Sequence, residues 1–178
     1  MEQQLAKIKL LALDVDGVLT DGTINIGSNG EIFKCFNAKD GLGISCALRY
    51  GLEIAIITGR FSEIIHRRAG ELGIQHLYEG VKDKYVALEK LRMKLNLEQQ
   101  EVAYMGDDLN DLSAFKAAGV TFAPADAVTE VAAAAHVVTA SCGGRGAVRE
   151  AVEQLLKAQG KWAEVVASYQ ESGQGDRQ

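Results

Sequence analysis

Apolar runs of strand length, each stopping at a polar cluster, constrain this chain more than any other feature of its sequence. Residues 8–13 end at Asp14, residues 54–57 at Thr58, Gly59 and Arg60, and residues 101–105 at Gly106, Asp107 and Asp108. Shorter apolar pieces at 76–78 and 120–122 add candidate edge strands, and 136–138 a sixth. Between them, 41–50, 62–72, 84–95, 110–118 and 146–158 carry apolar residues at helical period. Strand, helix and strand in succession imply parallel pairing, because a crossover helix returns the chain to the same end of the sheet. Strands apolar throughout need cover on both faces. The expected fold class is α/β: a doubly wound, Rossmann-like parallel sheet with helices on both faces.

One segment breaks this rhythm. Residues 23–26 and 31–36 alternate around Gly27, Ser28, Asn29 and Gly30, and Asn-Gly between alternating strands is a strong hairpin signal. A protruding β-hairpin is expected at about 21–36. The rest reads as a single domain over 1–170, with the polar segment 171–178 expected as a flexible tail. A chain of 178 residues that is 47% apolar can bury one sizeable core without disulfides. Its net charge of −5, with both signs mixed, argues against nucleic acid or anionic membrane as partner. The polar start and the lack of a membrane-length apolar run predict a soluble, cytoplasmic protein. Cys35, Cys46 and Cys142 show no metal-like spacing and read as reduced thiols. His66, His76 and His136 lack ligand spacing and read as surface or packed residues. Trp162, Val165, Val166 and Tyr169 read as the packing face of a last helix.

In a doubly wound sheet, ligands bind beyond the carboxyl ends of the strands. Asp14 and Asp16 leave the first strand two residues apart and meet Gly17, so both carboxylates can converge on one small volume. Clustered like charges call for a divalent cation, and hard oxygen ligands favour magnesium (Mg2+) over zinc. An aspartate can also act as nucleophile, and a second can protonate a leaving oxygen and then activate water. A solvated turn would equally place Asp and Gly there. Thr58, Gly59 and Arg60 offer a hydroxyl and backbone N–H groups to a phosphate, although a helix cap explains Thr58 as well. Asp107, Asp108, Asn110 and Asp111 crowd one strand end; completing a metal shell and acidifying a helix N-terminus both fit. Lys84, or Lys82, near a helix start is a candidate phosphate holder.

Taken in order, Asp14 to Thr20, Thr58 to Arg60, Lys84, and Gly106 to Asp111 resemble the four motifs of the haloacid dehalogenase-like phosphohydrolases. The resemblance implies Asp14 as nucleophile, Asp16 as general acid and base, and Thr58 and Lys84 as the phosphate-holding pair. It implies magnesium on Asp14, on the backbone carbonyl of Asp16 and on Asp107, with Asp111 supporting the shell through water. The dehalogenase branch lacks the second carboxylate, so Asp16 argues for phosphoryl transfer.

Between these motifs lie only the hairpin and ordinary helices, so no separate cap domain is expected, and a neighbouring subunit is expected to complete the open site. The stretches 14–22, 36–44, 57–60 and 143–150, together with the hairpin, are similar to the 3-deoxy-D-manno-octulosonate 8-phosphate phosphatases, a capless and tetrameric family. That similarity implies a homotetramer joined through its hairpins and hydrolysis of a sugar-acid phosphate in lipopolysaccharide biosynthesis. Substrate contacts are implied for Asp16, Asn37, Ala38, Lys39, Asp40, Gly41, Ser45, Arg60, Arg68, Lys84 and Asn110. Lys39 stands where many relatives have arginine, which keeps the charge but loses the bidentate fork. Gly143, Gly144 and Gly146 read either as part of this pattern or as a turn before the last helix. The rival substrate is a nine-carbon sialic-acid-like sugar phosphate; the rival class is a catalytically silent tetramerising domain.

Overall fold

The computed structural model describes residues 1–172. A short helix, α1 (Glu2–Leu5), leads into β1 (Leu10–Leu13), and the hairpin follows as β2 (Asn25–Gly27) and β3 (Gly30–Phe33). Next come α2 (Ala38–Arg49), β4 (Glu53–Ile57), α3 (Glu63–Leu72), β5 (His76–Tyr78) and α4 (Lys84–Lys94). The chain continues through β6 (Val102–Met105), α5 (Leu112–Phe115), β7 (Val120–Ala123), α6 (Thr129–Ala134) and β8 (Val137–Val138). It closes with α7 (Ala147–Ala158) and α8 (Trp162–Ser172).

Six strands form one parallel sheet in the order β5-β4-β1-β6-β7-β8. From β1 the chain winds outward to β4 and β5, then returns to the other side of β1 to build β6, β7 and β8. The winding reverses between β1 and β6, where the ends of adjacent strands diverge and open a crevice. Side-chain alternation separates two cores. Leu11, Leu13, Ile54, Ile56, Met105 and Phe122 face α2, α3 and α7, while Leu10, Ala12, Ala55, Ile57, Val102 and Tyr104 face α4, α5 and α6. The doubly wound class expected from the sequence is the one observed, and only the hairpin and single helices separate the sheet strands.

Local chemistry sets the boundaries. Asn37 caps α2 by accepting from Lys39 N–H at 2.8 Å, so the helix begins three residues before the predicted 41. Asp83 accepts from Val86 N–H and puts Lys84 at the first position of α4. The predicted helix over 110–118 shrinks to α5 behind a 3-10 turn, Leu109–Asp111, because the side chains of Asp108 and Asp111 bond the local N–H groups. The hairpin ladder stops at Phe33 rather than 36, since Lys34 turns inward and is buried. Of the expected tail, Glu171 and Ser172 belong to α8, and 173–178 lie outside the described residues. Among those residues no helix is long and apolar enough to cross a membrane. Cys35, Cys46 and Cys142 are free thiols. His136 shares its Nδ1 with Thr121, and Trp162 packs under Arg149, 5.1 Å from ring centroid to guanidinium carbon.

Candidate active site

The polar clusters predicted at the ends of β1, β4 and β6 meet in one cleft. Asp14, Asp16, Gly22, Ile24, Thr58, Gly59, Arg60, Asp107, Asp108 and Asn110 line it. Asp14 continues the sheet, its N–H donating to Met105 O at 3.0 Å, so its carboxylate emerges at the β1/β6 switch point. The chain then curls tightly, with Val18, Leu19 and Thr20 all directing N–H groups to Val15 O. This loop is buttressed from far along the chain: Gly144 N–H donates to Val18 O at 2.9 Å, and a Cβ on Gly143 would sit 1.8 Å from Gly17 O. Gly143 and Gly144 are therefore more than a turn before α7; they let one backbone lie directly on another.

The two lysine candidates separate. Lys82 is exposed, whereas Lys84 is buried and its Nζ lies 2.8 Å from Asp14 Oδ2 and 2.7 Å from Asp111 Oδ1. Burial alone would lower the lysine, but Asp14 and Asp111 hold it above its usual range, so it is a charged ammonium. Asp111 is fully buried and serves four donors. Oδ1 accepts from Lys84 and from the Tyr104 hydroxyl at 2.7 Å, and Oδ2 accepts from the N–H groups of Asp107 and Asp108. It is thus the post that fixes Lys84 and the Asp107 loop.

Asp14, Asp107 and Asp111 each place a carboxylate oxygen within 4.8 Å of the other two. Burial, then the nearby Asp111, raises Asp14 to about 6 against the pull of Lys84. Burial, then Asp14, Asp111 and Asp108, raises Asp107 to about 7. Asp107 Oδ1 is buried without a hydrogen-bond partner. Crowded carboxylates, one with an orphaned oxygen, and no His or Cys among them are what a hard divalent cation such as magnesium requires. Asp107 Oδ1 is the buried, unpartnered oxygen of the trio, Asp14 shares its carboxylate with Lys84, and Asp111, its lone pairs engaged, stands beside both.

Thr58 is buried at the end of β4, and Arg60 and Asn110 are exposed at the rim. Asp16 stands between two cations: Lys34 bonds Oδ1, and Arg60 Nε lies 3.8 Å from Oδ2. Neither Lys34 nor Tyr104 stands out in the sequence: a lysine on an alternating hairpin strand looks solvated, and Tyr104 lies inside an apolar run.

The remaining predicted substrate residues gather elsewhere. Asn37, Asp40, Gly41 and Arg68 line a small apolar pocket that shares no lining residue with the cleft. Arg68 lies over the Phe36 ring at 5.6 Å. Asp40 is buried and accepts from Gly146 N–H at 3.2 Å and Arg149 N–H at 2.8 Å, fastening α2 to the start of α7. Ala38 and Lys39 are exposed near the base of the hairpin, and Ser45 sits further along α2, outside the cleft lining.

This geometry agrees with what known proteins show. Residues 54–151 match the family of haloacid dehalogenase-like hydrolases. The 3-deoxy-D-manno-octulosonate 8-phosphate phosphatase of Escherichia coli K12 is 50% identical over 154 residues, covering 86% of this chain and 82% of that protein. The corresponding Moraxella catarrhalis phosphatase, solved in complex with magnesium, phosphate and a KDO molecule, superposes with a TM-score of 0.91 at 43% identity, covering 94% and 97% of the two chains. A cobalt-bound Haemophilus influenzae phosphatase superposes with a TM-score of 0.89 at 40% identity, covering 96% and 97%. The chain belongs to the haloacid dehalogenase-like hydrolases. Within them it is similar to the 3-deoxy-D-manno-octulosonate 8-phosphate phosphatases over most of its length.

Proposed function

We propose that this protein is a magnesium-dependent phosphatase that hydrolyses 3-deoxy-D-manno-octulosonate 8-phosphate, releasing the sugar acid and phosphate for lipopolysaccharide biosynthesis. The observation that carries the chemistry is the buried pair of Asp14 and Lys84 at the sheet's switch point, with Asp16, Thr58 and Asp107 around the same cleft. The relatives that share the chain's length and fold support the substrate.

Asp14 attacks phosphorus as the bond to the sugar oxygen breaks, giving an aspartyl phosphate; Asp16 protonates that oxygen, then takes a proton from the water that cleaves the intermediate. Lys84 neutralises charge on the transferring group, while the Thr58 hydroxyl and adjacent N–H groups orient its oxygens. Held by Asp14 and Asp107, magnesium would supply further charge compensation for the phosphoryl group. Arg60 and Asn110 are placed to touch the substrate at the rim. Asn37, Ala38, Lys39, Asp40, Gly41, Ser45 and Arg68 lie outside the cleft of one protomer, and their share in substrate binding rests on the family resemblance.

The reading extends to assembly and place. Ile26 and Phe33 are 67% and 50% exposed on an isolated two-stranded hairpin. Open edges bearing large apolar side chains favour pairing with other copies, and this supports a homotetramer; a cytoplasmic location and a single domain over 1–170 belong to the same reading and rest on the sequence and its family resemblance.

Phosphate release from 3-deoxy-D-manno-octulosonate 8-phosphate, with and without magnesium, tests the proposal on wild type and Asp14→Asn. Magnesium-dependent release lost in the variant is expected. Activity only on another sugar phosphate would reject the substrate and keep the chemistry.

A further inference from the structure

Lys34 is a deeply buried cation near the cleft, its side chain 2% exposed against 3% for Lys84. An ammonium so buried is costly unless carboxylates stand against it. Here Asp16 Oδ1 takes one bond, and Glu31 Oε1 lies 2.9 Å away. Glu31 is itself held, because its other oxygen accepts from the Ser62 hydroxyl. Ser62 is fixed in turn: its side chain caps α3 at Ile65, and its N–H donates to Glu79 at 2.9 Å. This chain of contacts runs from the hairpin through the start of α3 to the loop after β5, so the ammonium has little room to swing. Of the two Asp16 oxygens, Oδ1 is tied to the hairpin, and Oδ2 lies on the side of Arg60, which lines the cleft.

We infer that Lys34 is a positioning residue for Asp16: it anchors Oδ1 and presents Oδ2 to the departing sugar oxygen, making the base of the hairpin part of the acid–base apparatus. The inference rests on the reading of Asp16 as general acid and base. In the first step the proton on Oδ2 passes to the ester oxygen as that oxygen's bond to phosphorus breaks and the Asp14–phosphorus bond forms. The carboxylate so formed meets an ammonium already in place, and no group has to reorganise as the charge develops. In the second step Oδ2 takes a proton from water as the water oxygen bonds phosphorus and the Asp14–phosphorus bond breaks. A fixed Oδ2 serves both steps from one position.

Leaving groups distinguish positioning from mere structural support. A sugar alkoxide needs the proton, whereas p-nitrophenolate departs without it. Asp16→Asn is expected to lower kcat on the sugar phosphate by about 100-fold or more while costing roughly 10-fold or less on p-nitrophenyl phosphate. Lys34→Met should show the same selectivity at about 10–100-fold on the sugar phosphate. Lys34→Arg should restore a large part of it, and Lys34→Met should add little further loss in the Asp16→Asn background. Equal losses on both esters, or full additivity in the double variant, overturn the inference. If Asp16→Asn itself fails to discriminate, the general-acid reading falls; if it discriminates and Lys34→Met does not, only the role of Lys34 falls. Should Lys34→Met not fold, Glu31→Gln loosens the second anchor of the ammonium. It should give a smaller selective loss, and a loss equal on both esters would again sink the idea.

Discussion

Asp107 occupies the space that a side chain on Gly17 would need: a Cβ there would lie 2.0 Å from Asp107 Oδ2, and Gly17 sits at a φ of +88°. Any substitution therefore strains the backbone and displaces a candidate metal ligand. Gly17→Ala is expected to cost about 1–2 kcal/mol from the left-handed conformation alone and to weaken magnesium binding at least 10-fold. Thermal unfolding and magnesium titration check the two effects separately. Unchanged magnesium affinity would show that Asp107's place in the loop does not set the ion's binding.

Asp107 and Asp14 hold protons that the unfolded chain would already have released, since burial and mutual repulsion raise them to about 7 and about 6 from an ordinary 3.8. Their contribution to stability therefore falls as pH rises from about 4 to about 7 in metal-free protein. Magnesium binding should expel these protons, so its apparent affinity should climb across pH 6 to 7 and then level off. Calorimetry in two buffers of different ionisation enthalpy measures the proton release. Asp107→Asn removes the repulsion and is expected to stabilise the metal-free protein at pH 8 by about 1–3 kcal/mol after discounting for solvent screening. The same variant should lose stabilisation by magnesium.

Asp40 lies in the stretch that the family resemblance marks for substrate, yet its carboxylate is taken up by the N–H groups of Gly146 and Arg149. Asp40→Ala leaves two buried donors unmet and should cost about 2–3 kcal/mol in urea unfolding. KM should change little in the fraction that remains folded. A large rise in KM with unaltered stability would return Asp40 to the substrate.

The hairpin offers a test that is independent of catalysis. Ile26→Glu together with Ile32→Glu places charges on exposed apolar positions of β2 and β3. Sedimentation velocity should show the proposed tetramer replaced by smaller species, with secondary structure intact by circular dichroism. A variant that stays tetrameric would move the interface elsewhere.

The residues legible in the sequence were those whose placement follows from a strand's end. Asp14, Thr58 and Asp107 needed only the apolar runs before them to be located, and Lys84 only the helix that Asp83 begins. Asp111 stands with Asp14 and Asp107 in the acidic trio that the sequence points to; its four hydrogen bonds add a bracing role that depends on Tyr104, which a buried strand conceals. Lys34 and Glu31 were illegible for a different reason. Period-two alternation gives no sign that Lys34, just past the end of β3, folds back with Glu31 onto Asp16 and Ser62. The alanine-rich turn of α6 carries little apolar contrast in the sequence, and α1, a single helical turn, is too short for a period to register.

The support that Gly143 and Gly144 give the loop after Asp14 has a consequence for biosynthesis. All four motif clusters leave the ribosome by Asp111, yet the segment against which the first of them is folded follows more than thirty residues later. A nascent chain halted between these points would carry every reacting group with the Gly17 loop still unsupported and α2 still lacking its anchor on α7. The site is therefore expected to settle only once residues 143–149 have been made and α7 has docked on α2.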